Sequence, residues 1–158
     1  MAYTVESRDL YELSTAVIKA RLPIDQVSTW LPWAFKKVFA ELARQGIKPA
    51  GQPFARYAMH PDVFDVEAGV PVTRPVRPWG QVLSGTLPAG PAVVTTHIGP
   101  YEGLSEAVAA LDDWIAEHDA EPAGAHWEIY FSDPVTEPDP ATWRTDVFMP
   151  WARISDAD

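Results

Sequence analysis

The chain contains no cysteine. That excludes disulfides, thiolate catalysis, iron–sulfur clusters and cysteine-type zinc sites. Asparagine is missing too, so a papain-like Cys-His-Asn arrangement fails twice. Basic side chains are few: 12 Lys and Arg against 22 Asp and Glu give a formal charge of 12 − 22 = −10. Such a chain is a poor direct partner for nucleic acid, where affinity comes largely from neutralising phosphates. An anionic membrane surface is disfavoured on the same ground. No apolar run approaches the roughly 20 residues of a membrane span. Residues 1–12 carry Glu6, Arg8, Asp9 and Glu12 where a secretory signal would need an apolar centre. A cytoplasmic location is expected, and the polar tail SDAD is expected to fray. The signatures GxGxxG, GxxxxGK[ST], HExxH and GxSxG are absent, as is a calcium loop, and no cofactor is implied.

What is present is a chain of 158 residues with 16 Pro, 7 Trp and 5 Tyr. It is too aromatic to be disordered. Its length suits one domain or two small fused halves, burying about two-thirds of the unfolded surface without a staple. The negative charge suits a lipophilic cation or a basic protein face.

The chain repeats itself. Ala16-Val-Ile-Lys-Ala-Arg-Leu-Pro and Ala92-Val-Val-Thr-Thr-His-Ile-Gly-Pro are both β-branched runs, 92 − 16 = 76 apart. Each precedes a helical pattern. In the first, Val27, Trp30, Leu31, Val38, Phe39 and Leu42 recur at helical spacing, Pro32 predicts a break or a fresh first turn, and Gly46 a C-cap. In the second, Leu104, Val108, Leu111 and Ile115 form a stripe. Two strand candidates follow each helix: Phe54–Met59 and Val63–Val72, then His126–Phe131 and Trp143–Met149. Tyr57 answers to Tyr130 and Pro71 to Pro150. The expected fold is α+β: a duplicated β-α-β-β unit with pseudo-two-fold symmetry, antiparallel sheet with helices on one face, and a ligand cleft between the repeats. The expected boundaries are about 3–73 and 91–152, within a single domain over 1–158. A Pro- and Gly-rich linker joins them over about 74–90, with a short strand at Gln81–Thr86.

Glu128 is the best chemical candidate. It shares one strand face with Tyr130, while Trp127, Ile129 and Phe131 take the other. Periodicity alone favours a wet face for Glu128, with Arg144 as its partner. The alternative is a carboxylate in an aromatic-lined cleft, where it would offset a ligand's positive charge. In Gly99-Pro-Tyr-Glu-Gly-Leu104, the helix entry accounts for Pro100 and Glu102. It does not account for Tyr101, which would stand beside the groove. Trp30, Trp33 and Trp114 fall near helix stripes and read as core, whereas Trp79, Trp127, Trp143 and Trp151 remain open to an aromatic cage. The four histidines, His60, His97, His118 and His126, have no metal spacing and read as surface or ordinary packing. Asp133, Glu137 and Asp139 read as a solvated turn rather than a metal site.

The combination of GPYEGL, WEIYFSDP and TDVFMPW, with FARYAMHPDVFDVEAGVPV as first-half counterpart, resembles the GyrI-like small-molecule-binding domain family. That family also supplies the effector-binding domain of AraC-type and BmrR-type transcription activators, and includes stand-alone gyrase inhibitory proteins. The resemblance runs from about Tyr3 to Trp151. It implies a multidrug-type cleft whose strand glutamate faces lipophilic, often cationic compounds. Glu128 matches that glutamate, Tyr130 follows on its face, and Tyr101 matches the tyrosine of the GPYE turn. Tyr57 and Glu67 fall in the matching first-half segments. With no separate DNA-binding segment, the chain is expected not to be a complete activator by itself.

Three functions follow in order. The first is a stand-alone protein that binds a lipophilic, planar or cationic compound for sensing, sequestration or resistance, using Glu128, Tyr130, Tyr101, Tyr57, Glu67, Trp79 and Trp143. The second, also implied by the resemblance, is a hydrolase that opens cyclopropanoid DNA-alkylating natural products, with Glu128 as general base and Tyr130 polarising the oxyanion. The third is a modulator of a protein partner such as gyrase. Both monomer and homodimer remain open, since an exposed edge strand would permit pairing.

Overall fold

The structure, a computed structural model, describes residues 3–133 and 136–154. The polar tail and residues 134 and 135 of the acidic turn lie outside it. The chain forms two compact units. The central unit is Tyr11–Ala89. The bipartite unit combines the segment ending at Leu10 with the segment from Gly90 onward.

The central unit holds β2 (Leu13–Pro23), α1 (Val27–Gln45), β3 (Phe54–Met59), β4 (Val63–Pro71) and β5 (Leu83–Leu87). Its antiparallel strands lie in the order β3-β4-β2-β5. Ala16 and Ile18 of β2 and Ala68 and Val70 of β4 pack with Ala34, Val38 and Leu42 of α1 in one buried core. This is the alternation of a strand meeting the i, i+4 stripe of a helix. Gly46 ends α1, with its own N–H on the Ala43 carbonyl and the N–H of Ile47 on Leu42. Pro32 does not break the helix as expected; it lies inside α1. Its nitrogen cannot donate to the Ser28 carbonyl, but packing of the Ala34–Val38–Leu42 stripe outweighs one missing bond in a helix of 19 residues.

The bipartite unit holds β1 (Glu6–Leu10), β6 (Gly90–Ile98), α2 (Leu104–Glu117), β7 (Ala120–Pro122), β8 (His126–Tyr130) and β9 (Arg144–Arg153). Its main strands lie in the order β8-β9-β6-β1, with β7 beside the far end of β9. Val93, Val147 and Met149 pack with Leu104, Ala107, Leu111 and Ile115 of α2. The architecture is therefore α+β, each unit an antiparallel sheet with one helix.

The unit boundaries differ from those expected. β1 hydrogen-bonds to β6, so the chain's opening residues serve the bipartite unit, and the expected linker supplies β5, the edge strand of the central unit. The main strands of the two units are paired in the same order. The rows Val17–Gly69–Phe54 and Val94–Phe148–Trp127 occupy the same ladder positions, offset by 94 − 17 = 77, 148 − 69 = 79 and 127 − 54 = 73. The first of these is 77 rather than 76, a one-residue change that moves every side chain of a strand to the other face.

Candidate functional site

The candidate site of the bipartite unit grows from β8 and the turn after β6. In the ladder Glu128 lies opposite Val147 and Tyr130 opposite Thr145. Directly paired residues of an antiparallel ladder project to the same side. Val147 belongs to the core under α2, so Glu128 and Tyr130 lie on the helix side of this sheet. Trp127 and Phe148 take the other side, stacked with ring centroids 5.5 Å apart and planes 3° apart.

The wet-face expectation for Glu128 is overturned: the residue is 7% exposed. Arg144 is not its counter-ion, because the guanidinium pairs with Asp146 at 3.1 Å. Instead the Tyr130 hydroxyl donates to Glu128 Oε1 at 2.8 Å. The alternation on which the expectation rested is correct, but the helix side, not the solvent side, receives the polar set.

Tyr101 enters from the turn that leads into α2. Gly99 holds φ +132, a conformation that disfavours a side chain, and its N–H donates to the Trp143 carbonyl at 2.8 Å. Tyr101–Gly103 then form one 3₁₀ turn. The Tyr101 ring lies 4.8 Å from that of Trp143 and 5.8 Å, edge-on, from that of Tyr130. The Trp143 indole N–H donates to the Glu137 carbonyl at 2.6 Å. Tyr101 is 38% exposed. Burial, then the negative charges of Glu128 and Asp133, push its phenol above the ordinary value. The phenol therefore stays protonated at neutral pH, as a donor.

Around this cluster, His126 and His97 are buried, and burial pushes the His126 imidazole below its ordinary value. Thr145 stands between Tyr130 and His97 in a row across three strands, and its buried hydroxyl has no hydrogen-bond partner among the described residues. Asp139 accepts the Ala141 N–H, and the Asp133 carbonyl accepts from Thr136 and Glu137, so both shape their loop. Among the described residues no group of three or more His, Asp or Glu side chains is placed to hold a metal ion.

The other candidate residues belong to the central unit. Tyr57 is buried opposite Val66, on the α1 side of its sheet, edge-on to Phe64 at 5.9 Å. Glu67 projects from the opposite side, with Lys19 Nζ 3.9 Å from its carboxylate. The two therefore do not share a face. Trp79 is 61% exposed in the loop before β5, with the Arg44 guanidinium 4.4 Å from its ring centre. Trp33, expected in the core, is 40% exposed with Lys37 at its ring, because it lies off the Ala34–Val38–Leu42 stripe. Trp30 packs against the central core and Trp114 against the bipartite one.

Sequence reasoning missed His97. Its Nε2 lies 2.9 Å from the Pro100 carbonyl and its Nδ1 2.8 Å from the Tyr3 hydroxyl. The signal is the close run His97-x-Gly99-Pro100-Tyr101-x-Gly103, which joins the histidine to the GPYEGL turn.

Residues 3–152 match the GyrI-like small molecule binding domain. Among solved structures, the EcmrR C-terminal domain is 20% identical, with a TM-score of 0.85 over 98% of this chain and 100% of that one. The EcmrR chain in its complex with DNA is also 20% identical, with a TM-score of 0.83 over 96% of this chain. The present chain spans only 58% of it. SAV2435, solved bound to tetraphenylphosphonium, is 12% identical, with a TM-score of 0.64 over 96% of this chain and 94% of that one. These likenesses show a shared fold. No curated protein sequence matches the chain.

Proposed function

The chain belongs to the GyrI-like small-molecule-binding domain family, and from that premise we propose that it binds a bulky lipophilic cation against Glu128. One observation carries this reading: a carboxylate 7% exposed, hydrogen-bonded by Tyr130, with the Tyr101 ring beside that tyrosine and the Trp143 ring beside Tyr101. A buried carboxylate is costly unless compensated, and a weakly hydrated cation supplies charge at a small desolvation cost of its own. The aromatic rings add cation–π attraction of about 0.5–2 kcal/mol per contact. A small, strongly hydrated ion gains nothing comparable. The tetraphenylphosphonium complex of SAV2435, a protein of the same fold, supplies the natural probe. Glu67 and Trp79 are left out of the proposed contact set, because Lys19 already accompanies the first and the Arg44 guanidinium already lies against the ring of the second.

The role is sensing or sequestration rather than assembly on nucleic acid, in keeping with the charge of −10. The test is a calorimetric titration with tetraphenylphosphonium, with tryptophan fluorescence alongside. Saturable 1:1 binding with unchanged ligand mass supports the reading. Absence of binding at millimolar probe contradicts it.

A second reading has one observation in its favour. The Tyr101 ring lies 5.8 Å from that of Tyr130, whose hydroxyl donates to Glu128, so a base and a second phenol donor stand in one cluster. On a strained cyclopropane conjugated to a carbonyl, Glu128 would take a proton from attacking water. The oxygen bonds to ring carbon, the ring C–C bond breaks, and its electron pair moves to the carbonyl oxygen, held by Tyr101; the proton taken by Glu128 then passes to that enolate, which restores the carboxylate and completes the addition of one water. The proton of Tyr130 is already engaged by Glu128, which moves the donor's role to Tyr101. General-base assistance of this kind is typically worth about 10²–10⁴ in rate. A mass gain of one water on such a compound, lost in Glu128→Gln, distinguishes turnover from binding.

A further inference from the structure

We propose that His97 is the positioning residue of this site: it fixes the Pro100 carbonyl and thereby the stance of Tyr101 against Trp143 and Tyr130. The inference deepens the binding reading above and rests on it only for its ligand. The Pro100 carbonyl can only accept, so Nε2 carries a proton and donates to it, while Nδ1 pairs with the Tyr3 hydroxyl. The Pro100 carbonyl thus sets which nitrogen donates, and the Tyr3 hydroxyl holds the ring from the other nitrogen. Gly103 completes the fit from the other side. A Cβ there would lie 2.7 Å from His97 Cε1, too close for any side chain without displacing the ring.

The central unit supplies the internal control. At the ladder position of His97 it has Ala20, since Ala20 pairs with Val66 as His97 pairs with Thr145. Continuing at the same offset of 77, Pro23 stands for Pro100, Ile24 for Tyr101 and Gln26 for Gly103. Both units carry a 3₁₀ turn at this point, Ile24–Gln26 and Tyr101–Gly103, leading into a helix. The turn therefore forms without a histidine, and a side chain at the last position is tolerated when no imidazole lies beneath it. What His97 and Gly103 add is specific to the unit whose turn carries Tyr101. The requirement on them is the position of that ring, not the existence of the turn.

The deciding measurement is nuclear Overhauser contacts between the Tyr101 ring and the Trp143 indole in the full chain, free of ligand. The expected result is loss of those contacts in His97→Leu while β6–β9 contacts persist, with restoration in His97→Gln, whose amide can both donate to Pro100 and accept from Tyr3. If His97→Leu does not fold, the double variant H97A/G103Q, which copies Ala20 and Gln26, folds and lacks the contacts. Persistence of the Tyr101–Trp143 contacts in either variant overturns the assignment. A tetraphenylphosphonium titration then reads the consequence: His97→Leu weakens binding about tenfold, or about 1.4 kcal/mol, while in a Tyr101→Ala background the same change has less than about a twofold effect. An undiminished loss in that background also overturns it. If the wild type does not bind this probe yet the ring contacts behave as expected, the ligand reading fails and the positioning role stands.

Discussion

Each unit pairs its main strands in the same order, and the two differ in the side chains those strands carry. Where the bipartite unit places Glu128, Tyr130, His97 and Tyr101, the central unit places Ala55, Tyr57, Ala20 and Ile24. Trp143 is answered by Phe64, and Phe148 by Gly69. Gly69 has no room for a side chain at all: a Cβ there would lie 1.9 Å from the Ala16 carbonyl oxygen. The central unit has an aromatic edge contact of its own, Tyr57 on Phe64, but has no carboxylate at the position of Glu128. An identical order of strands thus supports an apolar version and a charged version of the same corner. Since the scaffold folds with Ala55, the polar set in the bipartite unit is not demanded by the fold. Residues that the fold does not demand, and that burial makes costly, are the ones that point to a function.

That contrast can be broken from the central side first. Ala55 is fully buried, so Ala55→Glu copies the carboxylate without the surroundings that accept it. The expected cost is about 3–5 kcal/mol of unfolding free energy, the range for an uncompensated buried charge, measured by urea denaturation. A loss under about 1 kcal/mol would mean that any position on this row tolerates a carboxylate, and that Glu128 is not special. Next comes Tyr130→Phe. It removes a donor to a buried carboxylate, and the expected loss of stability is about 1.5–3 kcal/mol. A neutral outcome would leave Tyr130 as a wall rather than a partner.

Acid separates the units with a smaller effect. Burial lowers the His126 value in the folded chain, so the unfolded chain binds that proton more readily and stability falls as pH drops below about 6.5. In the central unit His60 is exposed and hydrogen-bonds Asp65. Hydrogen bonds from Arg21 and His60 hold that carboxyl far below the usual carboxylate range, so its contribution is present at pH above about 4 and is lost only in stronger acid. Thermal melts between pH 7.5 and 5.5 should therefore show a decline governed by the bipartite unit, at most about 1.4 kcal/mol per pH unit. The decline should be shallower in His126→Gln. Equal slopes in the two proteins would remove His126 from the account.

How far the sequence spoke depended on side-chain pattern. β3 was legible to the residue, because Phe54–Met59 is bounded by Pro53 and His60-Pro61 and rich in strand formers. The α2 stripe and the Gly46 cap were legible for the same local reasons. β1 was not, since ESRDL has no apolar alternation and is a strand only because β6 offers it an edge. β7, with three residues, carries no pattern at all. At the site, the resemblance singled out Glu128, Tyr130 and Tyr101, and the structure places all three in the bipartite unit, with Tyr130 in contact with both of the others. Periodicity paired Glu128 with Tyr130 on one face but could not say which face meets the helix, because both faces of β8 carry large residues. His97 was illegible because its role lies in two hydrogen bonds, one of them to a residue 94 positions away.

The most direct test of the central claim compares tetraphenylphosphonium with neutral triphenylphosphine oxide in wild type and Glu128→Gln, with circular dichroism confirming that both proteins are folded. The account predicts that wild type prefers the cation by about tenfold or more, that Glu128→Gln loses this preference, and that its affinity for the neutral compound stays within about twofold of wild type. A folded Glu128→Gln that keeps the full preference for the cation would contradict it.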